Sequence, residues 1–190
     1  GFDPTADALH IGNLLVIMSL LQCQRAGHRV VALIGGATAR IGDPSGKSTE
    51  RPMIAEETIH KNIEGIKENL QRIFSNHDEF LVDDVKAKSF VQPEIVNNYD
   101  WYRDVNIIDF LGSVGRHLRV NKMLSRNSVK DRLQSEQGMS FTEFTYQAFQ
   151  AYDWLHLRQN RDCRVQIGGS DQMGNIMTGQ ELISRVTGDQ

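Results

Sequence analysis

Val30-Val31-Ala32-Leu33-Ile34, followed at once by Gly35-Gly36, is an unbroken apolar run closed by a glycine turn. Such a run predicts a strand buried on both faces of a parallel sheet. Upstream, Leu9, Ile11, Leu14, Leu15, Met18, Leu21 and Ala26 approximate a helical stripe, and Gly27 supplies its C-terminal cap. Helix followed by buried strand predicts a βαβ unit whose first strand lies before Gly1, so the chain is expected to be a fragment. Downstream, Ile59, Ile63, Ile66, Leu70 and Ile73 define an amphipathic helix, with Phe80-Leu81-Val82 as the next strand. Residues 90–135 show no strand pattern and read as a helical insertion. Ser140-x-x-Glu143 is a capping box that opens a helix over Phe141 to Leu157. Arg164 to Ile167 predicts another strand, and Asn175 to Val186 a closing helix. The fold class is therefore α/β, built on a parallel sheet with a mainly helical insertion.

A chain of 190 residues with 39% hydrophobic and 24% charged content can bury one sizeable core. No apolar run approaches the roughly 18 residues of a membrane-spanning helix, so no membrane partner is expected. Cys23 and Cys163 stand alone without metal spacing, which predicts a reducing compartment. The histidines are scattered, and no protein-held metal is expected. A net charge of −3 argues against a general nucleic-acid coat. The charge is uneven, however: Arg116, Arg119, Lys122, Arg126, Lys130 and Arg132 face a single acid, Asp131. That run is either a solvated helix face or a phosphate-contacting one.

Three segments carry chemistry. The first is Gln166-Ile167-Gly168-Gly169-Ser170-Asp171-Gln172. A strand end, a glycine pair that admits a flat ligand and an acidic acceptor resemble the ribose loop of an open α/β sheet. The second is the helix start Asp3-Pro4-Thr5 to His10-Ile11-Gly12-Asn13. Its free N–H groups make an anion site, and His10 and Asn13 share the first turn, with Thr5 nearby and Gly12 leaving room for a base. An ordinary capped helix explains the same residues. The loop Gly42-Asp43-Pro44-Ser45-Gly46-Lys47-Ser48 lacks the glycine spacing of a P-loop. Its Asp43 would repel a phosphate and suits a ligand ammonium, while Lys47 and Arg51 remain available to phosphate. The third segment is the helix from Phe141, where Tyr146, Gln150 and Asp153 share one face among apolar neighbours. Buried Gln and Asp need partners, which a polar ligand would provide.

Together these motifs, in this order across nearly the whole chain, resemble the catalytic domain of the tyrosyl-tRNA synthetases, class I aminoacyl-tRNA synthetases. The resemblance implies a Rossmann-like nucleotide-binding fold, with residues 1–190 as one catalytic domain and a connective insertion at about 90–135. It implies activation of L-tyrosine by ATP with Mg2+ as a substrate complex, then transfer to tRNA(Tyr) by a homodimer. Thr5, His10, Asn13, Lys47 and Arg51 would be catalytic: Thr5 and His10 holding the terminal phosphates as they leave, Lys47 and Arg51 closing over the pyrophosphate, and the Asn13 amide donating to the ribose or its ring oxygen. Asp43, Tyr146, Gln150, Asp153 and Gln172 would bind tyrosine, with Asp153 accepting the phenol. Asp3, His10, Gly12, Gly169, Ser170 and Asp171 would bind ATP. Asn13 stands at the second histidine of the family's His-Ile-Gly-His signature. A second signature loop, Lys-Met-Ser-Lys-Ser, is expected beyond Gln190, with an anticodon-binding domain. Met173 and Ala39-Arg40 resemble mitochondrial members, which points to the mitochondrial matrix, with a bacterial cytoplasm as the alternative. A non-catalytic RNA-binding module is the competing reading, motivated by the basic run.

Overall fold

The computed structural model describes residues 1–80 and 90–188, which divide into two compact units. The first comprises Gly1–Gly36 and Ile54–Asn98. It contains helix α1 (Ile11–Arg25), strand β1 (Val31–Ile34), helix α2 (Glu56–Phe80) and strand β2 (Glu94–Asn97). β1 and β2 pair in parallel, with Val31 opposite Glu94 and Ile34 opposite Asn97. On the other edge of β1, Phe2 forms a parallel bridge to Ile34, its N–H donating to the Leu33 carbonyl at 2.8 Å. β1 is thus hydrogen-bonded along both edges, a central position for which the apolar run predicts burial of both faces. Burial alternates along it all the same: Ala32 and Ile34 are buried, Val31 and Leu33 only half-buried. Successive side chains point to opposite faces, and one face takes the core of Ile17, Leu21, Ile59, Ile63, Ile66, Leu70 and Phe74.

Three expectations change here. Glu94–Asn97 is a strand although residues 90–135 carry no strand pattern, because a short polar-flanked segment is stabilised by its partner β1. Phe80 closes α2 rather than opening a strand, and Leu81 and Val82 lie outside the described residues. α1 buries Ile17, Leu21 and Gln24, while Ile11 and Leu15 from the expected stripe are exposed. The sequence Leu14-Leu15-Val16-Ile17-Met18 is apolar on every side, so periodicity cannot select a face. The expected cap holds: Gly27 has φ +88°, a left-handed conformation that glycine adopts without strain.

The second unit comprises Ala37–Met53 and Tyr99–Gln190. Its helices are α3 (Tyr99–Tyr102), α4 (Ile107–Ser113), α5 (Val120–Leu124), α6 (Asn127–Leu133), α7 (Phe141–Arg161) and α8 (Met173–Thr187). α7 and α8 pack closely where Gly179 faces Trp154; a Cβ on that glycine would lie 3.0 Å from the indole. Phe110, Val114, Ala151, Trp154, Leu155, Leu182 and Ile183 form the core. Residues 162–169 have no regular structure, so the strand expected over Arg164–Ile167 is absent. Val165 is 72% exposed there, with no sheet to cover it. Half of the expected capping box forms. Ser140 Oγ accepts from the Glu143 N–H, but the Glu143 carboxylate is taken by Arg132 instead.

α2 also fixes the segment that precedes α1. Asn62 Nδ2 donates to the Pro4 carbonyl at 2.9 Å, and Asn69 Oδ1 accepts from the Leu9 N–H at 3.2 Å. Between them on the same face lies Gly65, where a Cβ would overlap the Asp7 carbonyl oxygen. Gly65→Ala is therefore expected to destabilise the protein by about 2–3 kcal/mol despite its better helix propensity. A denaturant midpoint unchanged or raised by the substitution would show that residues 4–9 do not rest on α2 as described.

Candidate active site

In the first unit the helix start is a closed cap. His10 Nδ1 accepts from the Gly12 N–H at 3.1 Å, and Asn13 Oδ1 accepts from the His10 N–H at 3.0 Å. Because Nδ1 is an acceptor, a neutral imidazole carries its proton on Nε2, leaving one donor on the exposed ring. The space over Gly12 is filled by the His10 ring, since a Cβ there would lie 2.9 Å from Cε1. Gly12 thus makes room for the His10 ring. Asp3 is half-buried, its carbonyl accepting from the N–H of exposed Thr5.

In the second unit, Asp43 is the hub. Its Oδ1 accepts from the Ser45 N–H at 2.9 Å and its Oδ2 from Gln172 Nε2 at 2.7 Å. Gln172 Nε2 also reaches Asp171 Oδ2 at 2.9 Å, and its Oε1 accepts from Asn175 Nδ2 at 3.2 Å. Arg51 Nε donates to the Asp43 carbonyl, while Lys47 is exposed on the same loop. A chain turn this tight requires the glycine pair. A Cβ on Gly169 would overlap Asp171 Oδ1, and one on Gly168 would lie 3.1 Å from Gln172 Cβ. The pair leaves room for the protein's own Asp171 and Gln172 side chains. Ser170 opens the single 3₁₀ turn Ser170–Gln172 that leads into α8.

α7 presents Tyr146, Gln150 and Asp153 on one face, as expected, with Tyr146 and Asp153 buried. Gln150 Nε2 touches Gln166 Oε1 at 3.4 Å, and Gln150 Oε1 is buried with no hydrogen-bond partner among the described residues. That orphaned acceptor suits a ligand donor such as an ammonium. Asp153 Oδ1 accepts from Trp101 Nε1 at 3.0 Å, and the indole stacks on His156 with ring centroids 4.5 Å apart. Tyr102 donates its hydroxyl to the Phe149 carbonyl at 2.7 Å. Burial, then the nearby Asp153 carboxylate, holds the Tyr102 phenol well above its ordinary pKa, and the same causes raise Tyr152. Burial, with Arg161 in second place, lowers His156.

Sequence reasoning missed Trp101, Ser45 and Asn175. The run Tyr99-Asp100-Trp101-Tyr102 carried a signal in its aromatic density, but nothing local reveals that α3 meets α7. The basic run is also redistributed. Arg132 is 1% exposed, bonded to Glu143, and Arg126 is paired with Glu181 at 2.9 Å. Arg116, Arg119, Lys122 and Lys130 stay exposed, so four of the six cations face solvent.

The family model for tRNA synthetases class I (W and Y) matches residues 1–189. The chain belongs to that family. Its parallel ladder is part of the Rossmann-like fold of the class I synthetases. The chain is 62% identical over 187 residues to the mitochondrial tyrosine–tRNA ligase of Drosophila melanogaster, covering 98% of this chain and 40% of that protein. It is 51% identical over 190 residues to the tyrosine–tRNA ligase of Flavobacterium johnsoniae, covering 100% of this chain and 42% of that protein. Among solved structures, a C-terminally truncated mitochondrial tyrosyl-tRNA synthetase of Aspergillus nidulans superposes with a TM-score of 0.90 at 34% identity, covering 100% of this chain and 53% of that one. The class I chain thus spans 40–42% of the length of these curated relatives.

The phenols beside Asp153 provide a test of this geometry. A carboxylate disfavours a neighbouring phenolate, so Tyr102 and Tyr152 should ionise late in an alkaline absorbance titration, and Asp153→Asn should bring both transitions down. Tyr102→Phe assigns the later step. Transitions unmoved by Asp153→Asn would contradict the proximity of these groups.

Proposed function

We infer that this chain is the catalytic domain of a tyrosine–tRNA ligase, with the connective insertion at about 90–135 built largely of helices. The observation that carries the tyrosine assignment is Asp153, a buried carboxylate oriented by Trp101 on the same helix face as Tyr146 and Gln150. A phenolic hydroxyl can donate to Asp153, whereas phenylalanine would leave a buried charge short of a donor. An indole N–H could donate to the same carboxylate, as that of Trp101 does, so Asp153 selects for a ring that carries a donor and against phenylalanine. The choice of tyrosine over the family's other amino acid is supported by the names of the Drosophila and Flavobacterium relatives.

Asp43, Tyr146 and Gln150 bind the substrate ammonium, and Gln172 positions its carboxylate. Asp43 is buried, with Oδ1 held by the Ser45 N–H and Oδ2 by Gln172 Nε2. ATP enters as its Mg2+ complex. Thr5 and His10 hold its terminal phosphates, Asn13 donates to the ribose or its ring oxygen, and Asp3 and Gly12 line the nucleotide. Gly169, Ser170 and Asp171 contribute ribose contacts, and Lys47 and Arg51 meet the departing pyrophosphate. The tyrosine carboxylate attacks the α-phosphate, forming the acyl–phosphate bond as the α–β bridging bond breaks. That carboxylate is already a nucleophile, so no general base is needed, and rate comes from positioning and charge stabilisation. The tyrosyl group then passes to the 3′ end of tRNA(Tyr).

Exposed Ile107, Ile108 and Leu111 on α4 support a homodimer through the insertion. A mitochondrial matrix location is supported by the Drosophila, Arabidopsis thaliana and human relatives, whose names are mitochondrial or chloroplastic/mitochondrial. Bacterial cytoplasm is the alternative, given the Flavobacterium relative.

The full-length protein containing this chain should support tyrosine-dependent pyrophosphate–ATP exchange. Asp153→Ala should lower kcat/KM for tyrosine about 10–100-fold while leaving that for phenylalanine nearly unchanged. Exchange driven equally by tryptophan, or absence of tyrosine and ATP binding in calorimetry, would overturn the assignment; the second result would favour an RNA-binding module.

A further inference from the structure

Arg132 lies in the basic run but does not reach solvent. Its guanidinium meets Glu143 in a two-bond fork, Nε to Oε1 at 3.1 Å and Nη2 to Oε2 at 2.9 Å. Nη1 extends the other way, donating to the Ser48 carbonyl at 2.8 Å and to Ser135 Oγ at 3.1 Å. The Ser48 carbonyl ends the loop that begins at Gly42 and bears Asp43 and Lys47. Two residues of that loop, Gly42 at φ +87° and Gly46 at φ +68°, hold left-handed conformations. Its inner side between Pro44 and Ser48 borders a cavity of about 310 Å3, with Ser128, Asp131 and Ser135 on the far wall. Packing against α6 therefore contributes little to where this loop sits.

A buried ion pair is a weak source of net stability, because desolvating both charges offsets their attraction, and apolar residues of similar volume often serve as well. What apolar residues cannot do is donate a hydrogen bond to a backbone carbonyl across a cavity. Arginine can do so while its fork is held by a carboxylate, and lysine, with a single ammonium, cannot match both geometries. The loop is then held at two ends. Gln172 and Asn175 of the α8 end bind Asp43 Oδ2 and Ser45 Oγ, and Arg132 binds Ser48.

We propose that Arg132 is a positioning residue: anchored by Glu143, it fixes the Ser48 carbonyl and so sets the Gly42–Ser48 loop that presents Asp43 and Lys47. What Asp43 and Lys47 do for the substrate rests on the tyrosine-activation reading; the tether itself does not.

The test uses the full-length protein with Arg132→Lys, and with Glu143→Gln in case the first variant fails to fold. The amides of Ser45 and Lys47, which donate to Asp43 Oδ1 and the Pro44 carbonyl, report on the loop. Their hydrogen exchange should accelerate about tenfold in either variant, while the amides of Ala151–Leu157 in α7 keep their protection. KM for tyrosine should rise about fivefold or more in pyrophosphate–ATP exchange, since Asp43 loses its fixed position. Ser135→Ala, which spares the bond to Ser48, should leave loop exchange at the wild-type rate. Wild-type exchange at Ser45 and Lys47 in a folded variant overturns the tether. Equal acceleration in the loop and in α7 overturns it too, because Arg132 would then support packing in general. Should the wild-type protein fail to catalyse tyrosine-dependent exchange, the activation reading falls, and the amide rates still decide the tether.

Discussion

Two opposite charges, Arg132 and Glu143, sit 2.9 Å apart with side chains only 1% and 3% exposed. Charges removed from water must find every partner inside the protein, and that demand organises the second unit. Glu143 comes from the first turn of α7, Arg132 from α6, and the remaining guanidinium donors go to Ser48 and Ser135. Satisfying one ion pair therefore fixes the start of the helix that bears Tyr146, Gln150 and Asp153. It also fixes the end of the loop that bears Asp43. The same demand explains why Glu143 abandons the reciprocal half of its capping box: a buried arginine is a stronger partner than one backbone N–H.

A related economy runs through the glycines and amides of both units. Gly12, Gly168 and Gly169 each clear space for a side chain of their own segment. His10 is thereby hydrogen-bonded to the Gly12 N–H, and Asp171 and Gln172 to each other, with Gln172 also bonded to Asp43 and Asn175. Polar side chains restrained in this way lose little further freedom when they meet a substrate, which is the usual basis of preorganised sites. In the first unit Asn62 and Asn69 do for the Pro4–Leu9 segment what Gln172 and Asn175 do for the Asp43 loop.

Much of the molecule was legible in the sequence because the deciding forces were local. The apolar run around β1, the spacing of α2, the caps of α1 and α7 and the i, i+4, i+7 stripe of α7 depend on neighbours within a few residues. Where the sequence misled, the cause was non-local. β2 is four residues of weak propensity made into a strand by pairing with β1. Arg164–Ile167 has strand propensity but pairs with no strand among the described residues, and stays irregular. α1 is apolar all round, so only the packed core selects Ile17 and Leu21 as its inner face.

The residue types of the site were thus determined by sequence, and their ordering in the chain sufficed to suggest the family. The tertiary structure decided which of them are buried, which are paired and which remain available. It brought Trp101 to Asp153 across 52 residues and Gln172 to Asp43 across 129. It also divided the basic run, burying Arg132, pairing Arg126 and leaving the other four cations in solvent. The physical reason is common to all three: burial and hydrogen-bond satisfaction are properties of the assembled chain, and no local pattern can assign them in advance.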